Sequence, residues 1–364
     1  EFPIEHAHGR IPIKLALDAF PDAFRVITAR PEAPAIRPER LLYLDVETTG
    51  LAGGTGTYAF LVGLGCFSQD RFLVRQYFMR DLDEEPALLA ALAGLLPMFD
   101  GVVTYNGRRF DVPLLETRFI LGRVPWPRHL WQLDFLPLAR QLWRHRLPDC
   151  RLGTVEAHVL GVERANDLPG ALIPSLYVEY LRRRHPAQLP RVFAHNQDDL
   201  LSLVALTGWC VTALQEARPL VPEEQLGLGR LWEPVDWERA RIFYENALQA
   251  LRGEALMRGL LMLAARHKRR AEWRAAERLW DAALEAGARF DLRPWEELAK
   301  FYEHRARDFA KAREVTLAAL ARAEADRVGE DVLFHLRHRL RRLDHRLSRS
   351  ARPPAPKSLP ETSC

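Results

Sequence analysis

A chain of 364 residues, 48% hydrophobic and 27% charged, is long enough for two domains and a substantial core. Its net charge of +4 and pI near 9.0 mildly favour a phosphate-bearing partner without identifying one. Cys66, Cys150, Cys210 and Cys364 are widely spaced and form no CxxC pair, which indicates neither a disulfide framework nor a zinc site and fits a reducing cytoplasm.

The opening Glu1 to His6, which does not begin with Met, does not read as a signal peptide. Residues 1–38 form a mixed extension that ends in a Pro-rich linker, Arg30 to Pro38. Next, the apolar run from Leu41 to Val46 reads as a buried strand that delivers Asp45 and Glu47 and stops at Gly50. Side chains alternate along a strand, so the two acids share a face. Adjacent carboxylates repel unless a cation lies between them, and an all-oxygen donor set suits Mg²⁺ or Mn²⁺; a solvated acid pair is the alternative. The uncharged run Thr48 to Gln69 is no membrane span, because its glycines and the alternation of Phe60, Val62 and Leu64 indicate a turn and a strand.

Thr57 to Phe67 and Phe72 to Met79 are predicted strands, completing a three-strand meander. A helix is predicted from Glu84 to Phe99 and a further strand from Gly101 to Tyr105, which together suggest a mixed α/β sheet. That strand ends in Asn106, Gly107, Arg108, Arg109, Phe110 and Asp111, at a strand-to-helix turn of the kind where α/β sheets bind ligands. Asp111 reads either as an N-cap or as a site acid. Helices are expected over Leu133 to Arg144, Leu152 to Leu160 and Ser175 to Arg184. Asp134 reads as a supporting acid, and Trp126, Trp131 and Trp143 read as core. A long helix from Val192 to Leu214 carries His195 and Asp199, four apart and therefore on one face.

These residues carry a resemblance. Asp45-Val46-Glu47-Thr48-Thr49-Gly50, then Tyr105-Asn106-Gly107 with Phe110-Asp111, then His195 with Asp199, resemble the three motifs of the DEDD superfamily of 3′–5′ exonucleases, which has a ribonuclease H-like fold. Within it, Leu51 to Thr57 and Gly161-Val162-Glu163-Arg164 resemble the YprB-like branch. The resemblance covers Leu41 to Leu214. It implies a metal-dependent exonuclease hydrolysing nucleic acid at single-stranded ends, with two divalent ions, Mg²⁺ or Mn²⁺, held by Asp45, Glu47, Asp111 and Asp199. His195 is the implied general base, although it stands four residues before the acid, the spacing of members with tyrosine there; Asp198 is the less favoured ligand. Thr48 and Asn106 are expected to position the terminal nucleotide, and Arg108, Arg109 and Arg118 to contact phosphate.

Beyond Pro222 the strand pattern stops. Asp236-Trp237, Glu272-Trp273 and Asp308-Phe309 recur at intervals of 36 residues, as do Ala240, Ala276 and Ala312, and the pairs starting at Ala247, Ala283 and Ala319. Such spacing resembles tetratricopeptide helical hairpins, with a protein partner as one possible use. Leu333, Leu336, Leu340, Leu343 and Leu347 predict an amphipathic last helix, whose other face carries Arg337, Arg339, Arg341, Arg342, Arg346 and Arg349. The expected organisation is α/β: an extension (1–38), a ribonuclease H-like mixed sheet with flanking helices (39–217), an all-α helical-repeat domain (222–350) and a disordered tail (351–364). A non-catalytic nucleic-acid-binding or interaction scaffold is the alternative function.

Overall fold

The strand expected around the two acids forms over Leu41–Thr48, and the sheet is built outward from it. The computed structural model describes residues 1–50, 55–164, 168–216 and 218–350. The expected tail, the glycine run at 51–54 and the side chain of Arg349 lie outside the described residues. In chain order the strands are β1 (Phe2–Pro3), β2 (Ala7–His8), β3 (Ile11–Pro12), β4 (Leu41–Thr48), β5 (Ala59–Ser68), β6 (Arg71–Phe78), β7 (Gly101–Thr104) and β8 (Trp131–Asp134). The helices of the first half are α1 (Ala23–Thr28), α2 (Glu85–Leu95), α3 (Asp111–Leu121), α4 (Phe135–Trp143), α5 (Leu152–Val155), α6 (Ile173–Arg183), α7 (Leu189–Leu214) and α8 (Pro222–Trp232).

Six strands form one sheet in the order β1-β6-β5-β4-β7-β8. β4 is antiparallel to β5 and parallel to β7, and β7 is parallel to β8. A central strand covered on both faces needs a continuous apolar run, which is why Leu41 to Leu44 are all buried. On β4, the register with β7 covers Leu41–Tyr43, so Asp45 and Glu47 lie past its last position, where the strand order changes direction. The meander, the mixed sheet and the flanking helices agree with the α/β expectation.

Three expectations need correction. Leu133 and Asp134, expected to open a helix, instead end β8; a four-residue edge strand is too short for periodicity to distinguish, and the helix starts only at Phe135, capped by Asp134, whose side chain accepts the Leu136 N–H at 3.0 Å. Residues 1–38 are not a separate extension. Phe2 and Pro3 pair with Phe72 and Arg71 at the sheet edge, and Arg10 donates its N–H to the Leu160 carbonyl. Nor does the helical region begin at 222, because α8 belongs with the sheet: Trp143 donates its indole N–H to Glu224 (2.9 Å), and Phe20 stacks on Trp232.

The chain divides into two compact units, Glu1–Phe243 and the residues from Tyr244 on. Beyond α8 come α9 (Trp237–Ala250), α10 (Gly253–Arg269), α11 (Trp273–Ala286), α12 (Leu292–Phe301), α13 (Phe309–Ala325) and α14 (Glu330–Ser350). Each aromatic residue of the 36-residue period is the first residue of a helix, and Ala240, Ala276, Ala312, Ala247, Ala283 and Ala319 are all fully buried. In the second unit Trp280, Phe301, Tyr302 and Leu343 share one core, so the leucine stripe of α14 does dock.

The basic face of α14 is largely neutralised. Glu303, fully buried, accepts from Arg342 at 2.7 Å and Arg339 at 3.4 Å and lies 3.6 Å from Arg346. Arg337 pairs with Glu324 at 2.9 Å. A charge surplus read along one helix thus became intramolecular ion pairs, because α14 packs beside acids contributed by other helices.

Candidate active site

Each acid of the three motifs arrives on a different rigid element. Asp45 and Glu47 project from β4; Asp111 is the first residue of α3; Asp199 and His195 lie one turn apart on α7, which crosses β4 and β5. Asp111 is not the N-cap, since Phe110 holds that position, and its carboxylate is instead buried. The turn before it is set by Asn106 and Gly107. Asn106 takes the left-handed conformation (φ 66°), and a Cβ on residue 107 would stand 2.4 Å from the Thr104 side chain. Asp134 fixes this turn from β8 by accepting the backbone N–H groups of Asn106 (2.7 Å) and Arg108 (3.2 Å).

The four acids interact strongly. Burial first, and then the charges of Asp199, Glu47 and Asp111, hold the Asp45 carboxyl well above the usual carboxylate range. Burial pushes Glu47 up to about 8, against the opposing pull of His195, and Asp111 up to about 7. Asp199 acts on all three. An all-carboxylate set that resists ionisation for want of positive charge is the donor chemistry of a hard divalent cation, so the residues fit Mg²⁺ or Mn²⁺. Among the described residues, however, no three Asp, Glu, His or Cys side chains stand close enough to hold an ion as they are.

Two residues that the sequence reading did not assign to the site hold the acids in place. Asn196, fully buried on α7, donates Nδ2–H to Asp45 Oδ2 (2.7 Å) and to the Asp45 carbonyl (3.2 Å), and accepts from Gln76 at 2.9 Å. It fits because residue 63, opposite Asp45 in the sheet, is glycine. Arg164 donates to both Glu156 and Asp199, and its Nη1 lies 3.3 Å from His195 Nδ1. Glu156, 1% exposed, also accepts from Ser202, whose hydroxyl lies 2.8 Å from His8 Nε2. Burial, helped by Arg164, lowers the His8 pKa to about 4. Arg164 stands in the Gly161–Arg164 segment noted in the sequence. Glu156, Asn196 and Ser202 carried no local signal.

An arginine can only donate, so His195 Nδ1 is an acceptor and the neutral ring carries its proton on Nε2, 3.8 Å from Asp199 Oδ2. The implied base nitrogen, Nδ1, is therefore engaged rather than open. Among the expected nucleic-acid contacts, Arg118 is engaged within the fold. It is buried, clamps Glu85 through two 2.5 Å bonds, donates to the Thr55 carbonyl at 2.7 Å and covers the Tyr58 ring. The Thr48 hydroxyl closes its own turn by donating to the Gly50 carbonyl at 2.8 Å. Arg108 and Arg109 are exposed beside Asn106.

Residues 42–211 match the RNase H superfamily. A relative, YprB of Bacillus subtilis (strain 168), an uncharacterized protein, is 30% identical over 357 residues, covering 93% of this chain and 83% of YprB. The chain belongs to the family of YprB and carries an RNase H superfamily domain over residues 42–211. A family B DNA polymerase of Pyrobaculum calidifontis is 17% identical with a TM-score of 0.39; the match covers 64% of this chain and 30% of the polymerase, so the chain spans less than a third of its length. The matched segment of the superfamily runs from β4 to α7 and therefore contains all four acids.

Proposed function

We propose that this RNase H superfamily member is a divalent-metal-dependent 3′–5′ exonuclease acting on single-stranded nucleic-acid ends. The observation that carries the reading is the convergence of four mutually repelling carboxylates, Asp45, Glu47, Asp111 and Asp199, past the end of β7, on three separate elements. These acids would hold two Mg²⁺ or Mn²⁺ ions, which supply Lewis-acid polarisation of the scissile phosphate and charge neutralisation. Asn196 fixes the orientation of Asp45. His195 would take the proton of the attacking water at Nδ1, the nitrogen that the Nε2–H tautomer leaves basic. Asn106 would hold the terminal nucleotide and Arg108 and Arg109 its phosphates, from a turn pinned by Asp134.

The helices from α9 onward we read as tetratricopeptide-like hairpins, on the strength of the 36-residue period, with a protein partner as their use. Free thiols at Cys66, Cys150 and Cys210 agree with a cytoplasmic protein, and among the described residues no helix is long and apolar enough to cross a membrane. A second reading, a nuclease-like domain that only binds nucleic acid, draws on the hold of Arg164 on Asp199.

The test is degradation of 5′- and 3′-labelled single strands, duplexes and hybrids of DNA and RNA by purified protein in Mn²⁺, Mg²⁺ or EDTA. Metal-dependent shortening from the 3′ end that is lost in Asp45→Asn supports the enzyme. Binding without cleavage in saturating metal supports the second reading.

A further inference from the structure

Arg164 is placed oddly for a merely structural ion pair. One guanidinium reaches Asp199 and Glu156 through Nη2 and His195 through Nη1, so it engages both α7 residues of the proposed chemistry at once. Its side chain is 10% exposed, and that of Glu156 is 1% exposed. The same Glu156 oxygen, Oε1, also accepts from Ser202, which contacts His8, so the carboxylate that holds the cation is itself tied to α7 and β2. Meanwhile the four acids repel one another and are not drawn together as a metal-ligating group.

We propose that Arg164 is a positioning residue that acts as the resident counter-cation of the site. It holds Asp199 and masks His195 Nδ1 until a divalent ion displaces it. The inference rests on the metal-dependent reading above. A guanidinium bonded to a carboxylate competes electrostatically with any dication seeking the same oxygens, and the acids of a low-dielectric pocket cannot fully serve both. Displacement would leave Arg164 on Glu156, which is already part of its shell, so its charge stays paired. The same movement would release Nδ1 as an acceptor at the moment the acids are filled, coupling base availability to metal occupancy. Binding of the ion and unmasking of the base thus become one equilibrium.

The test compares Mn²⁺ binding to full-length wild type, Arg164→Gln and Arg164→Lys by calorimetry, with far-ultraviolet circular dichroism as a check of folding. Removing a unit charge from beside a dication should tighten binding roughly tenfold or more in Arg164→Gln, whereas Arg164→Lys, which keeps the charge, should stay near wild type. Unchanged or weaker binding by a folded Arg164→Gln overturns the proposal, since a bystander or a support of the loaded site would behave in that way. If Arg164→Gln does not fold, nitrogen-15 spectra of wild-type histidine side chains during a Mg²⁺ titration decide. The His195 Nδ1 resonance should move on saturation, and a stationary resonance refutes displacement. Should neither wild type nor Arg164→Gln bind any metal, the metal-dependent reading itself fails. Binding by Arg164→Gln alone keeps that reading and shows the counter-cation to be dominant.

Discussion

Gly63→Ala tests how closely Asp45 is held. An added Cβ would lie 2.1 Å from Asn196 Oδ1 and 2.7 Å from its Cγ and Nδ2, far inside contact distance. Asn196 cannot simply rotate away, because it is fully buried and tied to Gln76 on one side and Asp45 on the other. Overpacking of this kind costs about 1–3 kcal/mol, and a buried carboxylate deprived of its donor costs about 1–3 kcal/mol more. Taking about 3 kcal/mol, and about 2–4 °C per kcal/mol for a unit the size of Glu1–Phe243, the melting temperature in EDTA should fall by about 6–12 °C. Asn196→Ala removes the obstructing amide, so Gly63→Ala/Asn196→Ala should melt no lower than Asn196→Ala alone, a coupling of about 1–3 kcal/mol. Scanning calorimetry of the four proteins decides. A normal melting temperature for Gly63→Ala, or losses that simply add, would refute the claim that the glycine exists to admit the Asp45 clamp.

Other outcomes follow from the same charges. Asp45→Asn should abolish hydrolysis, and in EDTA it should raise the melting temperature increasingly as pH rises, because the buried carboxyl it replaces is then forced to ionise beside three like charges; a gain that does not grow with pH would contradict the electrostatic account. Glu47 has an ordinary value of 4.5 and a folded value of about 8, so the stability it contributes is fully present below 4.5 and is lost as pH rises through about 8. Metal-free protein should therefore melt progressively lower over that window, and excess Mg²⁺ should flatten the slope. His195→Ala should reduce kcat by roughly 10²–10⁴ with KM little changed, and a several-fold loss would assign the ring to packing. Arg342→Gln should destabilise the second unit by about 1–3 kcal/mol by depriving buried Glu303 of a donor, and chemical denaturation would show it.

The sheet and the acids were legible because period-2 alternation, a glycine stop and i, i+4 spacing are local signals. They place Asp45 with Glu47 on one face of a strand and His195 with Asp199 on one face of a helix. What was not legible depended on contacts distant in sequence. Asn196 lies 151 residues from Asp45, and Ser202 lies 194 from His8. Nothing in the neighbourhood of either residue marks it as a support. The ion pair of Arg118 was hidden for the same reason. Beside a motif acid on α3 it looked like a phosphate ligand, but its partner Glu85 is 33 residues away at the start of α2. β8 was missed because four residues at the end of a sheet are too few to show a period.

The distribution of positive charge shows where an anionic strand could be met. Along the sequence the surplus sits on α14, yet there Arg337, Arg339, Arg342 and Arg346 are paired with Glu324, Glu296 and Glu303 and so are committed to contacts within the fold. Exposed ion pairs of this kind are weak individually, but those on Glu303 surround a fully buried carboxylate that must be satisfied, and the arginines are therefore tied to folding first. At the other site the balance is reversed, because the acids outnumber the cations and Arg164 is committed among them. On the proposed reading, a strand approaching that site would meet Arg108 and Arg109, exposed on the turn that Asp134 pins beside Asn106. If phosphate is held there, Arg108→Gln with Arg109→Gln should raise KM for a single strand and lower its salt dependence by roughly 0.7 per lost contact, while kcat at saturation changes little. An unchanged KM and salt slope would move the search for the strand's path away from this turn and toward the surfaces of the helical unit.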